Sequence, residues 1–566
     1  MSNDLSPSPG EEVDLLVIGA GAAGMTAALV GAIEGLRVVL CEKTDMVGGT
    51  TSTSAGTVWI PGSHQSRSAG VPDSIDDAKV YLDAVVGAAG DNEHRSAYLA
   101  TGPTVLDYLQ ARSDVEFIPA VAHPDYQNHP GAAYGGRALG AAPFDGRKLG
   151  SDFARVRPPR PEFLVLGGMM VGKTDIPALL APFGSIRSFV HATRILGRQA
   201  IDRLRYPRGT RLMMGNALVA RLLHSLHRRS VPIMFETGLN DLIRENGRVT
   251  GAVLSGPKGL RSVRARQGVI LATGGIAWNR ELRARLFPKA AQKFSLAPEA
   301  NTGDGITAAL RVGASIDEDV QSPALWMPSS VMHRRDGTTS VFPHIILDRA
   351  KPGLIAVNRV GRRFANEADS YHDFVAAMLR TDHNVPAHLV CDHSFILDYG
   401  IGLVHPRTRH LGRFVESGYL KQADTVQALA RQIGVDTAAL EETIINHNRF
   451  AAKGIDEEFG RGSSALNRFN GDPENLLNPC MRKIGPGPYF AVTVWPADLA
   501  SSAGLRTDVN AGVLDLNKRP IEGLYAVGTD AASIFRGTYP GPGTMIGPAI
   551  VFGWRAAMHA AGKLAE

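Results

Sequence analysis

Cysteine is scarce in this chain. Cys41, Cys391 and Cys480 are spread over 566 residues with no C-x-x-C pair. That excludes a zinc ribbon and a cysteine-held iron–sulfur cluster, and it fits a reducing compartment. Each thiol reads as a buried side chain, and no metal site is assigned. Long apolar runs are also missing, so no transmembrane helix is expected. The N-terminus, MSNDLSPSPGEEV, has neither the basic start nor the apolar centre of a signal peptide. A cytoplasmic location follows by elimination. Charge of one sign is not in large excess either. A net charge of +5 is small for this length and no nucleic-acid module is present, so a nucleic-acid partner is not expected. What is present is a globular composition, 44% hydrophobic and 20% charged, with enough residues for more than one domain. No internal repeat is evident.

The most informative stretch is 14–42. An apolar run at 15–18 reads as a buried parallel strand. Gly19-Ala20-Gly21-Ala22-Ala23-Gly24 follows at once, then a small-residue helix over 22–35 and a second strand over 37–41 that ends at Glu42. This is a complete βαβ unit with G-x-G-x-x-G in its first turn. Gly19 permits the turn, Gly21 lets a pyrophosphate approach the backbone, and Gly24 lets the helix pack close to the strand. The helix N-terminus offers unpaired N–H groups and a partial positive charge. Glu42 lies 18 residues past Gly24, where a carboxylate takes a ribose hydroxyl and favours a free 2′-hydroxyl over a 2′-phosphate. The glycines alone are weak; strand, helix, second strand and terminal acid together specify a dinucleotide site.

Further along, Gly48-Gly49-Thr50-Thr51-Ser52-Thr53-Ser54-Ala55-Gly56 brings N–H and hydroxyl groups to a flat polar ligand. Helices are predicted over 78–86 and 96–111, and a loop carrying Tyr126 over 123–150. An apolar run at 163–171 is too short to span a bilayer. After it come Arg187, Arg194, Arg198, Arg203, Arg205, Arg208 and Arg211, opposed by Asp202 and interleaved with Phe189, Ile195, Leu196 and Leu204. Two readings stay open for 160–211: a solvated basic helix, or a peripheral contact with anionic lipid at the inner membrane face. Strands are predicted over 231–236, 249–254 and 268–271, the last running into Ala272-Thr273-Gly274-Gly275. Gly523 to Asp530 repeats that strand-then-glycine form, with Asp530 placed to reach a ribityl hydroxyl. Asn301-Thr302-Gly303-Asp304-Gly305 opens a helix, and 424–434 and 437–450 read as helices, the first N-capped by Asp424. Nucleotide-type pieces at both ends imply a discontinuous α/β fold, with a Rossmann-like domain from 1–290 (155–230 as a variable insertion) and 489–566. An α+β domain over 291–488 is inserted between them.

With these motifs in this order, the chain resembles the FAD-dependent fumarate reductase/succinate dehydrogenase flavoproteins over nearly its whole length. The resemblance implies non-covalent FAD, with its ring at the junction of the two domains. It also implies cofactor contacts from Gly19, Gly21, Ala22, Ala23, Gly24, Glu42, Lys43, Gly49, Thr50, Thr51, Ser54, Ala55, Gly56, Leu239, Ala272, Gly274, Asn301, Asp304, Gly528, Asp530 and Ile546. Two motifs choose a branch. Fumarate reductases carry Gln-x-His-Pro-Thr and Asn-Glu-x-x-x-Arg; here Gln321-Ser322-Pro323 has no histidine, and Asn366-Glu367 is followed at the arginine spacing by Tyr371. A phenol does not grip a dicarboxylate as a guanidinium does. Gly537-Thr538-Tyr539-Pro540-Gly541-Pro542-Gly543 is similar to the Tyr-Pro-x-Pro-Gly signature of 3-ketosteroid 1-dehydrogenases, as are Asp125-Tyr126 and Gly135-Gly136-Arg137 to elements of that branch.

That branch implies four catalytic positions. Tyr539 and the Gly543 N–H bind the C3 ketone as an oxyanion hole, Tyr371 takes the C2 proton, and Tyr126 assists it, while hydride passes from C1 to flavin N5. Trp326, Met327 and Phe490 are candidate walls of an apolar pocket. The alternatives are a 3-keto-5α-steroid 4-dehydrogenase, a desaturase of another cyclic ketone, a soluble fumarate reductase-like enzyme, and a non-catalytic flavoprotein. The expected partners are a small-molecule steroid and an electron acceptor; the acceptor's identity and the oligomeric state stay open.

Overall fold

The computed structural model describes residues 12–87, 92–165, 168–172, 175–334, 336–345 and 347–564. The polar N-terminal stretch through Glu11 and positions 166–167 of the apolar run lie outside the described residues. The fold is mixed α/β. Its first sheet is built on Glu12–Ile18, whose residues from Val13 onward are all buried. Val38–Cys41 pairs parallel to one side of it (Leu16 opposite Val39) and Gly259–Leu271 to the other (Val17 opposite Ile270). Pro520–Ala526 adds a further parallel strand to Gly259–Leu271, Ile270 facing Tyr525, so the last part of the chain returns to the sheet begun by the first. Buried strands of this kind need apolar residues on both faces, which is why 15–18 and 268–271 read as continuous runs.

The helix Ala22–Ile33 crosses this sheet with ten of its twelve residues buried. Alanine and glycine permit that burial by letting neighbouring backbones approach. A Cβ at Gly24 would stand 1.9 Å from the Gly19 carbonyl oxygen. The helix ends at Ile33 because Gly35, at φ +91, turns the chain toward the next strand.

The second sheet is organised by Tyr489–Ser501. This 13-residue strand pairs antiparallel with Ala324–His333 and Ala387–Asp392, and also borders Leu420–Ala423 and Phe294–Ser295. Tyr489–Ser501 therefore belongs by its hydrogen bonds to the inserted sheet, and the chain rejoins the nucleotide sheet only at Gly512–Leu514. Nearly continuous burial along 489–501 fits either sheet; only the register decides.

Three local readings change. The apolar run near 163–171 folds as a short hairpin, Leu164–Val165 against Met169–Met170. The helix predicted from Asp424 is Val426–Ile433, and Thr425 rather than Asp424 caps it, accepting from the Ala428 N–H. The arginine run divides. Arg198 pairs with Asp145 at 2.8 Å and Arg211 with Asp175 at 2.7 Å, while Arg208 is buried against the Phe153 ring. Arg187, Arg194, Arg203 and Arg205 face outward on or just after the helix Ile186–Arg203. No helix among the described residues is long and apolar enough to cross a membrane.

Candidate active site

The two sheets meet around one elongated cavity of about 480 Å³. One end is walled by the glycine turn (Gly19, Gly21, Ala22, Ala23), by Glu42 and Lys43, and by the 49–57 loop. Leu239, Ala272, Gly274, Asn301, Asp304, Gly528 and Ile546 close it from the other elements. Glu42 is oriented from within. Its carboxylate accepts from the Ala20 N–H at 3.0 Å and from the Thr44 N–H and hydroxyl at 2.9 Å each. Lys43 reaches Asp304 at 2.8 Å, joining the first strand–helix unit to the first turn of the Asp304–Arg311 helix.

Two predicted residues are not on this wall. Gly24 sits one layer behind it, filling the helix–strand contact described above. Asp530 is fully buried and already engaged: its carboxylate accepts from the Thr273 N–H at 2.6 Å, the Thr273 hydroxyl, and the Gly275 N–H at 2.9 Å. It fastens the 272–275 turn to the Gly528–Asp530 turn, leaving the main chain of Gly528 and Thr529 on the cavity. Burial pushes its carboxyl above the usual range, against those hydrogen bonds.

At the other end three phenols converge. Tyr371 begins the helix Tyr371–Met378, which Ser370 caps by accepting from the Asp373 N–H at 3.1 Å. The Tyr126 and Tyr371 hydroxyls are 3.4 Å apart, and Tyr371 also hydrogen-bonds Tyr539. The Tyr126 and Tyr539 rings stack at 5.5 Å, and Tyr371 stands edge-on to Tyr539 at 5.1 Å. All three line the cavity, and so does Gly543. Burial raises the Tyr371 and Tyr126 hydroxyls well above the ordinary phenol range and pushes Tyr539 up to about 12. All three are therefore protonated at neutral pH, and forming a phenolate there requires compensation from a ligand.

The loops bearing Tyr126 and Tyr539 hold each other. The Tyr126 N–H donates to the Pro540 carbonyl at 2.9 Å, and the Tyr81 hydroxyl donates to the same oxygen at 2.6 Å. Beneath them Asp125 accepts from the Trp59 indole N–H and from Arg137, both at 2.7 Å, and from the Ala133 N–H at 2.9 Å. Arg137 is completed by Asp73 at 2.8 Å. Gly543 has no room for a side chain. Its φ is +103 and a Cβ would lie 2.5 Å from the Val58 backbone. The Gly543 N–H meets no protein acceptor among the described residues.

Among the wall residues not singled out as contacts from sequence, Arg157, Arg160 and Phe163 come from the 155–230 stretch. The one available signal was two arginines just ahead of an apolar run. Arg157 donates to the Thr44 hydroxyl at 3.0 Å. Arg160 donates to the Leu296 carbonyl at 3.1 Å and the Val341 carbonyl at 2.8 Å, and lies 3.8 Å from Glu162. Leu296, Met327, Pro343, Ile345 and Leu499 supply apolar wall around the phenols. Of the candidate walls, Met327 is confirmed as lining, whereas Trp326 and Phe490 pack in the core between the sheets. His372, on the same helix as Tyr371, is buried, and its Nδ1 accepts from the Trp326 N–H at 3.2 Å.

A sequence model of the FAD binding domain family matches residues 14–546. A 4-oxocyclohex-2-ene-1-carboxylate 5-dehydrogenase of Sinomonas cyclohexanicum is 39% identical, covering 96% of this chain and 92% of that one. A 3-oxosteroid 1-dehydrogenase of Mycobacterium tuberculosis is 36% identical over 97% of this chain and 98% of its own. Among solved structures, the 3-ketosteroid delta1-dehydrogenase of Sterolibacterium denitrificans in complex with 1,4-androstadiene-3,17-dione superposes with a TM-score of 0.91 at 36% identity, covering 98% of this chain and all of that one. The wall fits a flavin dinucleotide. Gly21 and Gly49 both line the cavity, and a Cβ on either would meet nothing within 4 Å, so a ligand can approach the bare backbone there.

Proposed function

The chain belongs to the FAD binding domain family, in the branch of the 3-ketosteroid 1-dehydrogenases, and from that premise we propose that it desaturates the C1–C2 bond of a 3-ketosteroid. That it is an FAD-dependent oxidoreductase is common to its curated relatives. The observation that carries the finer reading is the convergence of Tyr126, Tyr371, Tyr539 and the unpaired Gly543 N–H on an apolar stretch of the cavity that also holds the nucleotide wall.

FAD, when bound, supplies the two-electron acceptor. The residues to hold it are the 19–24 turn and its helix for the pyrophosphate, Glu42 for a ribose hydroxyl, and the 49–56 loop with Asn301 and Gly528 for the remainder. The rest of the chemistry belongs to the phenols. A ketone oxygen placed between the Tyr539 hydroxyl and the Gly543 N–H accepts two hydrogen bonds, which strengthen as charge develops on it. That charge acidifies the neighbouring C–H. Tyr371, once its own proton has left to solvent and it stands as a phenolate stabilised by the Tyr126 hydroxyl in hydrogen-bond contact with it, receives the proton of that C–H. Pro540 and Pro542 fix φ on either side of Gly541, so little of the loop has to be ordered when substrate arrives.

A second reading, favoured by the cyclohexene-carboxylate relative and by Arg160 on the wall, is a smaller cyclic keto acid as substrate. Against it, the Arg160 guanidinium is already committed to two carbonyls and faces Glu162, and burial lowers its pKa. Anaerobic mixing of the holoenzyme with a 3-keto-4-ene steroid decides. Bleaching of the flavin band with formation of the 1,4-diene supports the proposal. Bleaching only with 4-oxocyclohex-2-ene-1-carboxylate selects the second reading, and bleaching only with a 5α-saturated ketone selects C4–C5 chemistry.

A further inference from the structure

The helix Ile186–Arg203 turns its more apolar side away from the protein. Toward the body it packs Ala192, Ile195, Gln199 and Asp202, and Asp202 is spent on the Thr210 N–H and hydroxyl at 2.8 and 2.7 Å. On the other side, at helical spacing and continuing past both ends, Phe183, Ile186, Val190, Ile201 and Leu204 are 87%, 81%, 59%, 65% and 83% exposed. Phe189, 47% exposed, extends the strip and stands 5.9 Å from the Phe183 ring. Single exposed aliphatics are ordinary, but six large ones gathered toward the two ends of one helix face are not.

The rim of the strip is cationic. Arg187, Arg194, Arg203 and Arg205 are exposed and carry no ion pair among the described residues. Asp202 is the single carboxylate between 183 and 205, and it points inward. A second copy of this chain docked on the same face would bring like-charged rims together, which argues against self-association. A helix lying in a lipid interface with a polar face, aliphatic residues opposite, and arginines at headgroup level is the arrangement that complements an anionic monolayer.

We propose that the Ile186–Arg203 helix with its flanking Phe183 and Leu204 docks on an anionic lipid surface. Phe163, 37% exposed and in ring contact with Phe342 at 5.8 Å, sits on the same insertion and lines the cavity. Phe163 and the docking helix belong to one stretch of chain, so docking also tethers the segment that supplies this wall residue, and the docked enzyme draws an apolar ketone from the lipid. This second step rests on the reading of the substrate as an apolar ketone; the docking itself does not.

The test is co-sedimentation of FAD-loaded protein with vesicles of phosphatidylcholine alone or mixed with phosphatidylglycerol, at low and high salt. Retention is expected on the anionic vesicles only, falling with salt. Replacing Phe183, Ile186, Ile201 and Leu204 together by serine should lower the vesicle partition coefficient roughly tenfold or more. Replacing Arg187, Arg194, Arg203 and Arg205 by glutamine should lower it roughly a hundredfold. All these side chains are exposed, so FAD content, melting temperature and turnover of a freely soluble ketone should not change in either variant. Equal retention on neutral vesicles, no retention, or a light-scattering mass showing that the serine variant has lost a dimer overturns the proposal. Loss of ketone turnover with retention intact would instead count against the substrate reading alone.

Discussion

Two hydrogen-bonded side-chain clusters invite comparison. One is the phenol group of Tyr126, Tyr371 and Tyr539. The other is Ser330, His344 and Asp348, in which Ser330 Oγ lies 2.7 Å from His344 Nε2 and His344 Nδ1 lies 2.6 Å from Asp348. On distances alone the second is the better catalytic constellation, since it has the connectivity of a serine-nucleophile triad. It has no access. Ser330 and His344 are fully buried, the Tyr419 hydroxyl occupies the remaining side of Ser330 at 2.7 Å, and none of the three lines the cavity. Asp348 is further engaged by the Gly402 N–H at 3.2 Å. Its carboxyl, which burial alone would raise, is held below the usual range by His344 and Arg349. The phenols have longer hydroxyl contacts, but they face empty space beside an unpaired N–H. Geometry among side chains is common in a well-packed core, and a reactive cluster also needs room for the atoms it acts on. The sealed cluster has a structural role. It pins the turn after the Thr339–Pro343 strand, from which Pro343 and Ile345 reach the cavity.

The comparison breaks most sharply at Tyr371. Tyr371→Phe keeps the ring packing and removes the proton acceptor. It should bind FAD normally and lose roughly 10²- to 10⁴-fold in kcat, measured by anaerobic flavin bleaching. Tyr539→Phe removes one of two donors to the ketone and should cost on the order of 10²-fold, with the ligand affinity of ketone products weakened in step. Gly543→Ala should be at least as damaging, because strain at φ +103 and a 2.5 Å contact with Val58 displace the second donor; reduced melting temperature would accompany it.

Smaller effects sharpen the contrast. Ser330→Ala should leave kcat within about twofold while lowering stability by about 1–3 kcal/mol, since buried partners lose a hydrogen bond; a large kcat loss would assign the sealed cluster a part in the chemistry. pH separates the two kinds of site as well. The Tyr371 hydroxyl is raised, so its proton-accepting form grows with pH, and kcat/KM should climb through the alkaline range without a neutral plateau. Glu367, buried in the same domain, behaves oppositely. Burial alone would raise its carboxyl, but Arg363 and Arg461 outweigh this and hold it down to about 2. With the folded pKa depressed from an ordinary value of 4.5, its stabilisation is fully present above that value. It is lost as pH falls from there toward 2, on the order of a few kcal/mol by acid-unfolding titration.

Much of this site was legible because backbone demands leave marks in sequence. Gly19, Gly21 and Gly24 each answer a different steric need, and Tyr371 stands out by its spacing after Asn366-Glu367. What was not legible depended on long-range pairing. Asp530 has the composition of a ribityl contact, yet Thr273 and Gly275 reach it first. Trp326 and Phe490 are as apolar as Met327, and strand register alone sends them into the core. The insertion was the least predictable. Its arginines look alike in sequence, but Asp145 and Asp175, residues 53 and 36 positions away, recruit Arg198 and Arg211 inward and leave the others on the rim of an apolar strip.

The central claim is that a carbonyl-activated C–H gives its proton to Tyr371. The most direct measurement is single-turnover flavin bleaching with a 3-keto-4-ene steroid deuterated at C2, compared with the unlabelled steroid. Bleaching should be slower with the labelled steroid, and Tyr371→Phe should show no exchange of the C2 position with solvent. C2 exchange that continues at the wild-type rate in Tyr371→Phe would contradict the claim.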